Sequence, residues 1–123
     1  MGYPDIELAR SRQAALRRLI DEHAGDAADL RRLRRVLALS EELCEAIDDA
    51  YCRDKVRALQ ECAAELLSAG EHRSRGALSG AEFLRQQIRS ALELVQSRLY
   101  SLERARRHGQ LSLRSGAAPG FAG

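Results

Sequence analysis

Aromatic residues are scarce in this chain, which has no tryptophan, three tyrosines and two phenylalanines among 123 residues. Strands of sandwiches and barrels are enriched in aromatic and β-branched residues. A composition that is 45% hydrophobic and 31% charged, dominated by Leu, Ala, Arg and Glu, is instead typical of long helices or coiled coils. The sequence therefore predicts a single all-α domain whose core is built from aliphatic side chains.

Lysine is nearly absent, because Lys55 is the only one and arginine supplies the remaining positive charge. Together with the frequent alanines, this bias is typical of proteins encoded by high-GC bacterial genomes, so we expect a bacterial origin. The formal net charge is only +2. A near-neutral balance does not by itself indicate a polyanionic partner.

Long apolar runs are also missing, and none approaches the roughly 20 residues that a helix needs to cross a bilayer. The first residues have neither the basic nor the apolar region of a secretion signal. We therefore expect a cytoplasmic protein that does not interact with membranes.

Catalytic and metal-binding patterns are not recognisable in the sequence. The three cysteines, Cys44, Cys52 and Cys62, are too far apart for a zinc signature and odd in number for a disulfide framework. They are interpreted as buried free thiols, and a metal or small-molecule sensor using Cys44 or Cys52 is a remote alternative. We expect no catalytic residues, no bound metal and no cofactor, and hence a protein that is not an enzyme.

Periodicity predicts three helices at about 5–24, 26–69 and 79–108, packed as an antiparallel, coiled-coil-like bundle. Gly25 separates the first two helices, with Asp26 as the N-cap of the second. Ser79 and Glu82 form a capping box for the third, with Leu78 and Phe83 as its hydrophobic staple, and Gly109 ends it. Residues 1–109 are predicted to be one domain, and 110–123 a disordered tail.

The second predicted helix is unusually long and forms the centre of the bundle. No glycine or proline occurs between Asp26 and Ala69, and an apolar stripe with heptad spacing reaches Tyr51. Beyond Tyr51 the stripe slips by one residue to Cys52, which is what a straight helix does against a 3.5-residue repeat. We therefore predict one continuous helix. The alternative is a break at Asp48–Asp49, which would give a four-helix bundle.

A continuous second helix would be longer than either helix that covers it. Two layers of helix would leave part of its apolar stripe in contact with water. A second copy of the chain or a helix of another protein would cover that stripe. This geometry predicts a homodimer, a heterologous protein partner, or both.

The charged residues group into blocks of opposite sign. An acidic stretch at Glu41, Glu42, Glu45, Asp48 and Asp49 is predicted to lie level with Arg98, Arg104, Arg106 and Arg107 of the last helix. A second block is predicted to be a basic patch at the turn between the first two helices. Its members are Arg17, Arg18, Arg31, Arg32, Arg34 and Arg35.

The leading functional hypothesis is a non-enzymatic, helical protein–protein interaction module of the adaptor, chaperone or regulator type, which is expected to be homodimeric. The alternative is a nucleic-acid-associated regulator that uses the arginine patch. The alternative has less support, because no aromatic residue is interleaved with the arginines and no reading helix is recognisable.

Overall fold

The part of the chain that the structure describes folds into four helices packed against one another. The structure, a computed structural model, describes residues 5–25, 27–68 and 80–109, and the backbone of 110–115. The helices are α1 (Ile6–Asp21), α2 (Leu30–Ala46), α3 (Ala50–Ser68) and α4 (Gly80–Ser115). The predicted all-α helical bundle is confirmed, whereas coiled-coil-like packing stays a prediction.

The prediction of one continuous helix over 26–69 is wrong. α2 ends at Ala46, and Ile47 is extended, with φ −137° and ψ 116°. The side chain of Asp49 then accepts a hydrogen bond of 3.0 Å from the backbone N–H of Cys52. This is N-capping geometry, and it starts α3 without any glycine or proline.

The slip in the apolar stripe at Tyr51 and Cys52 marks this break. In a continuous helix the two halves of the stripe would face nearly the same way. Because α3 instead folds back, Val36 and Leu43 of α2 and Cys52 and Leu59 of α3 are all buried in a single core. Burial of both stripes within one chain is the physical reason for the fold-back.

The four helices form a ring in which each one packs against two neighbours and runs antiparallel to both. α1 contacts α2 and α4, and α3 contacts α2 and α4. The backbone N–H of Asp5 donates to the carbonyl of Ala46 (2.7 Å), and that of Asp29 donates to the carbonyl of Leu67 (2.8 Å). These two bonds fix the register of α2 against α1 at one end of the bundle and against α3 at the other. The result is an up-down-up-down four-helix bundle.

The core is almost entirely aliphatic, as the composition predicts. No aromatic side chain of the described residues belongs to it. Ser40 is fully buried, and its hydroxyl makes no hydrogen bond with the residues that the structure describes. The side chain of Gln13, by contrast, is buried and donates to the carbonyl of Leu92 at 3.1 Å.

Several predicted helix boundaries need correction. Gly25 does separate α1 from α2, and its φ of 74° is the left-handed conformation that favours glycine. The N-cap of α2 is Asp29 rather than Asp26, because the helix begins at Leu30 and the Asp29 side chain accepts a hydrogen bond of 3.0 Å from the backbone N–H of Arg32. α4 does not end near His108; it continues through Gly109 to Ser115, into the segment predicted to be disordered.

Two predictions at the helix ends stay untested. Ser79 of the predicted capping box and Leu78 of the predicted hydrophobic staple lie outside the described residues. The same holds for the end of the predicted tail at 116–123.

Candidate interaction surface

The six arginines of the predicted basic patch divide into two groups. The side chains of Arg17 and Arg32 are bound to other groups of the same chain. The guanidinium of Arg17 lies 3.2 Å from the carboxylate of Asp21 and 3.8 Å from that of Glu93. Arg32 donates to the carboxylate of Asp29 (3.2 Å) and to the carbonyl of Leu19 (2.9 Å). These contacts hold the α1–α2 turn and the adjacent seam together.

The other four arginines are exposed: Arg18, Arg31, Arg34 and Arg35. None of them forms an ion pair or a side-chain hydrogen bond with the residues that the structure describes. Arg18 lies on the outer side of α1, and the other three lie on the first turns of α2. The structure therefore reduces the predicted patch from six arginines to four.

The three arginines of α2 share their helix face with two carboxylates. Along the helix, this face runs through positions 31, 35, 38, 41 and 45 at spacings of three or four residues, with Arg34 beside Arg35, so its members lie on one side of α2. All are exposed, and the buried residues of α2 lie on the opposite side. We call this row the α2 outer face; it consists of Arg31, Arg34, Arg35, Ala38, Glu41 and Glu45.

Sequence reasoning missed this face because it assigned the arginines and the acids to separate blocks. The signal was nevertheless present in the helical spacing. The side chains of Glu41 and Glu45, like those of the three arginines, form no ion pair or hydrogen bond with described residues. The α2 outer face thus has five charged side chains without partners in the described part of the chain, and it is basic at its start and acidic at its end.

The seam between α1 and α4 is different, because its charges are paired across the two helices. Two residues of these pairs make a further contact within α4. Arg89, which pairs with α1, also lies 3.4 Å from Glu82 of its own helix. The carboxylate of Glu103 accepts from Arg107 of α4 as well (3.1 Å). The pairs that cross the seam are Arg10–Glu103 (2.9 Å), Arg17–Glu93 (3.8 Å) and Arg89–Asp21 (2.8 Å).

The predicted pairing of the acidic stretch with α4 is correct only for Asp49 and Arg98. Their closest atoms are 2.8 Å apart, and the hydrogen bond from Arg98 lowers the pKa of Asp49 to about 2. Glu42 pairs instead with Arg12 of α1, at 2.6 Å. The reason is the fold-back: over the described residues, α3 packs beside α2, and α4 packs beside α1 and α3 instead.

The uncovered apolar stripe that predicted a partner helix is also absent from the described part of the chain. Its two halves are covered by each other and by α1 and α4. The large apolar side chains that remain exposed are spread over three helices, and the ring of Tyr51 lies against the cations of Lys55 and Arg98. They are Leu30, Tyr51, Leu94 and Tyr100.

Two of the three cysteines, Cys44 and Cys52, offer little reactive chemistry. Burial raises the pKa of the Cys52 thiol to about 12, and burial also raises that of Cys44. A thiol that is protonated at neutral pH is a poor nucleophile and a poor metal ligand. Within residues 5–25, 27–68 and 80–109, no three histidine, cysteine or carboxylate side chains converge as a metal site would require.

A shallow groove of about 370 Å³ lies on the α1–α4 seam, lined by Arg10, Gln96, Ser97, Tyr100 and Ser101. The guanidinium of Arg10 is already paired with Glu103. The other groups are hydroxyls and an amide. The groove therefore presents no unpaired charge and no arrangement of acid and base.

Comparison with known proteins identifies no relative: no protein-family model, curated protein sequence or solved structure matches the chain. None of the helices, over the residues described, has an apolar stretch long enough to span a bilayer. The cytoplasmic location and the bacterial origin expected from the sequence stay predictions.

Proposed function

We propose that this protein is a non-enzymatic protein–protein interaction module that binds through the α2 outer face. The observation that carries the proposal is the group of five charged side chains on α2 that form no ion pair with the described residues. Charges of the same types are paired across the α1–α4 seam. Charged groups on a rigid helix that lack partners in their own chain are well placed to set the register of a binding partner.

The charge order of the α2 outer face favours a protein as the partner. Arg35 and Glu41 are six positions apart, which is about 9 Å along a helix. A nucleic-acid backbone that reached the arginines would bring its phosphates close to the two carboxylates. A protein surface can instead offer acids to the arginines and bases to the glutamates.

A second candidate is a nucleic-acid-associated regulator, and the exposed, unpaired state of Arg18, Arg31, Arg34 and Arg35 favours it. Phosphate contacts release counterions, so binding of this kind would fall steeply with salt concentration. A mobility shift of duplex DNA or RNA that disappears on changing these arginines to glutamate would support this candidate.

Affinity capture from a lysate of the native cells tests the leading proposal. The bait is the wild-type protein, beside a variant in which the five charged residues of the α2 outer face are changed to glutamine. The control bait carries glutamine at Arg104 and Arg106, which are exposed on α4. The lysate is treated with nuclease, and bound proteins are identified by mass spectrometry.

We expect a protein, which can be this chain itself, to be retained by the wild type and by the control but not by the glutamine-face variant. Retention of the same proteins by all three baits would contradict the proposal.

A further inference from the structure

The charges of the α2 outer face are arranged symmetrically about Ala38, with the sign reversed on the two sides. Arg35 lies three positions before Ala38, and Glu41 lies three positions after it. Arg31 and Glu45 lie seven positions before and after it. Arg34 and Glu42 match in the same way, four positions from Ala38, although Glu42 is already paired with Arg12.

This symmetry makes the face complementary to itself. If two α2 helices pack antiparallel with a two-fold axis at Ala38, each arginine of one copy lies opposite a glutamate of the other. Arg31 lies opposite Glu45 of the second copy, and Arg35 lies opposite Glu41. An interface of this kind is isologous, which is the commonest symmetry of soluble homo-oligomers.

The residue on the axis has a size that suits a close crossing. Ala38 is exposed and lies directly between the two charge groups. Its methyl group lets two helices approach more closely than a long side chain would, as small residues do at other helix–helix contacts. A large or charged side chain at this position would hold the two helices apart.

We propose that the partner of the α2 outer face is a second copy of this chain, docked antiparallel about Ala38. The proposal rests on the proposed interaction function and identifies the partner. It replaces the earlier reason for expecting a homodimer, since the joining surface is charged rather than apolar. The same two-fold brings together four of the five charged side chains of this face that have no partner among the described residues: Arg31, Arg35, Glu41 and Glu45.

The dimer is expected to be weak and sensitive to salt. One helix face is at the small end of specific interfaces, and exposed ion pairs contribute modestly. Screening shortens the range of such pairs to about 10 Å at 0.1 M salt and about 3 Å at 1 M. Self-association measured by sedimentation should therefore weaken at least about tenfold between low and high salt.

Two single-sign variants test the pairing directly. The acidic-face variant carries Arg31→Glu and Arg35→Glu, and the basic-face variant carries Glu41→Arg and Glu45→Arg. Each presents charges of one sign to its own copy, so each alone should self-associate at least about tenfold more weakly than the wild type. An equimolar mixture of the two should form a heterodimer, because every position then faces its opposite charge.

The control separates specific pairing from simple attraction between molecules of opposite net charge. A variant with Arg104→Glu and Arg106→Glu has the same net charge as the acidic-face variant but leaves α2 unchanged. Mixed with the basic-face variant, it should give no heterodimer. Helix content and melting temperature are recorded for every variant. If a charge-reversal variant is misfolded, Arg31→Gln with Arg35→Gln replaces it, and the salt dependence of self-association should then be lost.

Heterodimers that form from the two single-sign variants and not from the control mixture would support the proposal. A wild-type protein that stays monomeric at about 1 mM in low salt, at a concentration where even weak contacts associate, would overturn it. So would self-association of the single-sign variants at wild-type strength. If the wild type is monomeric but the capture experiment still retains another protein through α2, the second-copy proposal fails and the interaction function stands.

Discussion

The α1–α4 seam and the α2 outer face carry the same kinds of charged side chain in different relations to the fold. In the seam, Arg10, Arg17 and Arg89 each reach a carboxylate of the neighbouring helix. On the α2 outer face, arginines and glutamates of similar number have no partner in the described chain. The seam therefore has charges that select the register of the fold, and the α2 outer face has charges available to select a partner.

The largest effect on stability is expected at a paired charge, that of Asp49 in the α2–α3 turn. Asp49→Ala removes both the cap of α3 and the carboxylate that binds Arg98. We expect the free energy of unfolding to fall by about 2–3 kcal/mol, measured by urea denaturation. Glu45→Ala on the α2 outer face is the matched control and should change it by less than about 0.5 kcal/mol. Equal effects at the two sites would remove the distinction between paired and unpaired charges.

Asp49→Asn separates the charge from the cap, because asparagine also caps helices well. The folded state lowers the pKa of Asp49 from 3.8 to about 2. Its charge therefore stabilises the fold above pH 3.8, and this contribution disappears as the pH falls through 3.8 towards 2. At neutral pH the free energy of unfolding of the wild type should exceed that of Asp49→Asn by about 1–2 kcal/mol after allowance for solvent screening.

The measurement for this variant is urea unfolding at several acidic pH values. The difference in free energy of unfolding between the wild type and Asp49→Asn should disappear near pH 2, where Asp49 of the folded wild type takes up its proton. A difference that did not change with pH would mean that the Arg98 contact contributes nothing through charge.

The inner face of α2 offers a substitution that should stabilise the protein. Ser40 is fully buried and its hydroxyl has no partner, so Ser40→Ala removes a desolvated polar group and adds a better helix former. We expect the free energy of unfolding, measured by thermal or urea denaturation, to rise by about 1 kcal/mol. Ala38→Ser, two residues earlier on the exposed face, should lower stability by about 0.5 kcal/mol. A loss of stability in Ser40→Ala would indicate that the hydroxyl has a partner.

The smallest effect on stability is expected for the charges of the α2 outer face. Arg31→Gln and Glu41→Gln, alone or together, should change the free energy of unfolding of the monomer by less than about 0.5 kcal/mol. Urea unfolding followed by circular dichroism gives this free energy, and it is measured in high salt, where association is suppressed. A loss of more than about 1 kcal/mol would show that these side chains stabilise the fold of the single chain.

The sequence predicted the class of fold and much of the packing, because both follow from periodicity. The aliphatic core, the turn at Gly25 and the pairing of Asp49 with Arg98 were all recoverable from spacing and charge. The prediction of a continuous central helix was wrong because it gave the absence of glycine and proline more weight than the two aspartates, and the alternative, a break at Asp48–Asp49, is what the structure shows. Asp49 starts a new helix with a side-chain cap, and the stripe slip beside it was interpreted as helical drift.

The candidate surface was only partly predictable. Arg18, Arg31, Arg34 and Arg35 were identified, but the contacts of Arg17 and Arg32 depend on how α1, α2 and α4 meet, which no local pattern encodes. The acidic half of the α2 outer face was assigned to α4, since a continuous second helix would have brought α4 to it. One error in topology thus changed the partner assigned to a whole block of charge.

The fold-back at Ile47–Asp49 is the central structural claim, because it buries the apolar stripe and leaves the charged α2 outer face as the candidate surface. The distance between spin labels at Arg34 and Glu61 tests it most directly. The labels are placed in a background with Cys44→Ser, Cys52→Ala and Cys62→Ser, and the labelled protein is diluted with unlabelled protein. Helices that pack as neighbours, as α2 and α3 do, place the labels less than about 25 Å apart. A continuous helix would separate them by about 40 Å, and that distance would contradict the account.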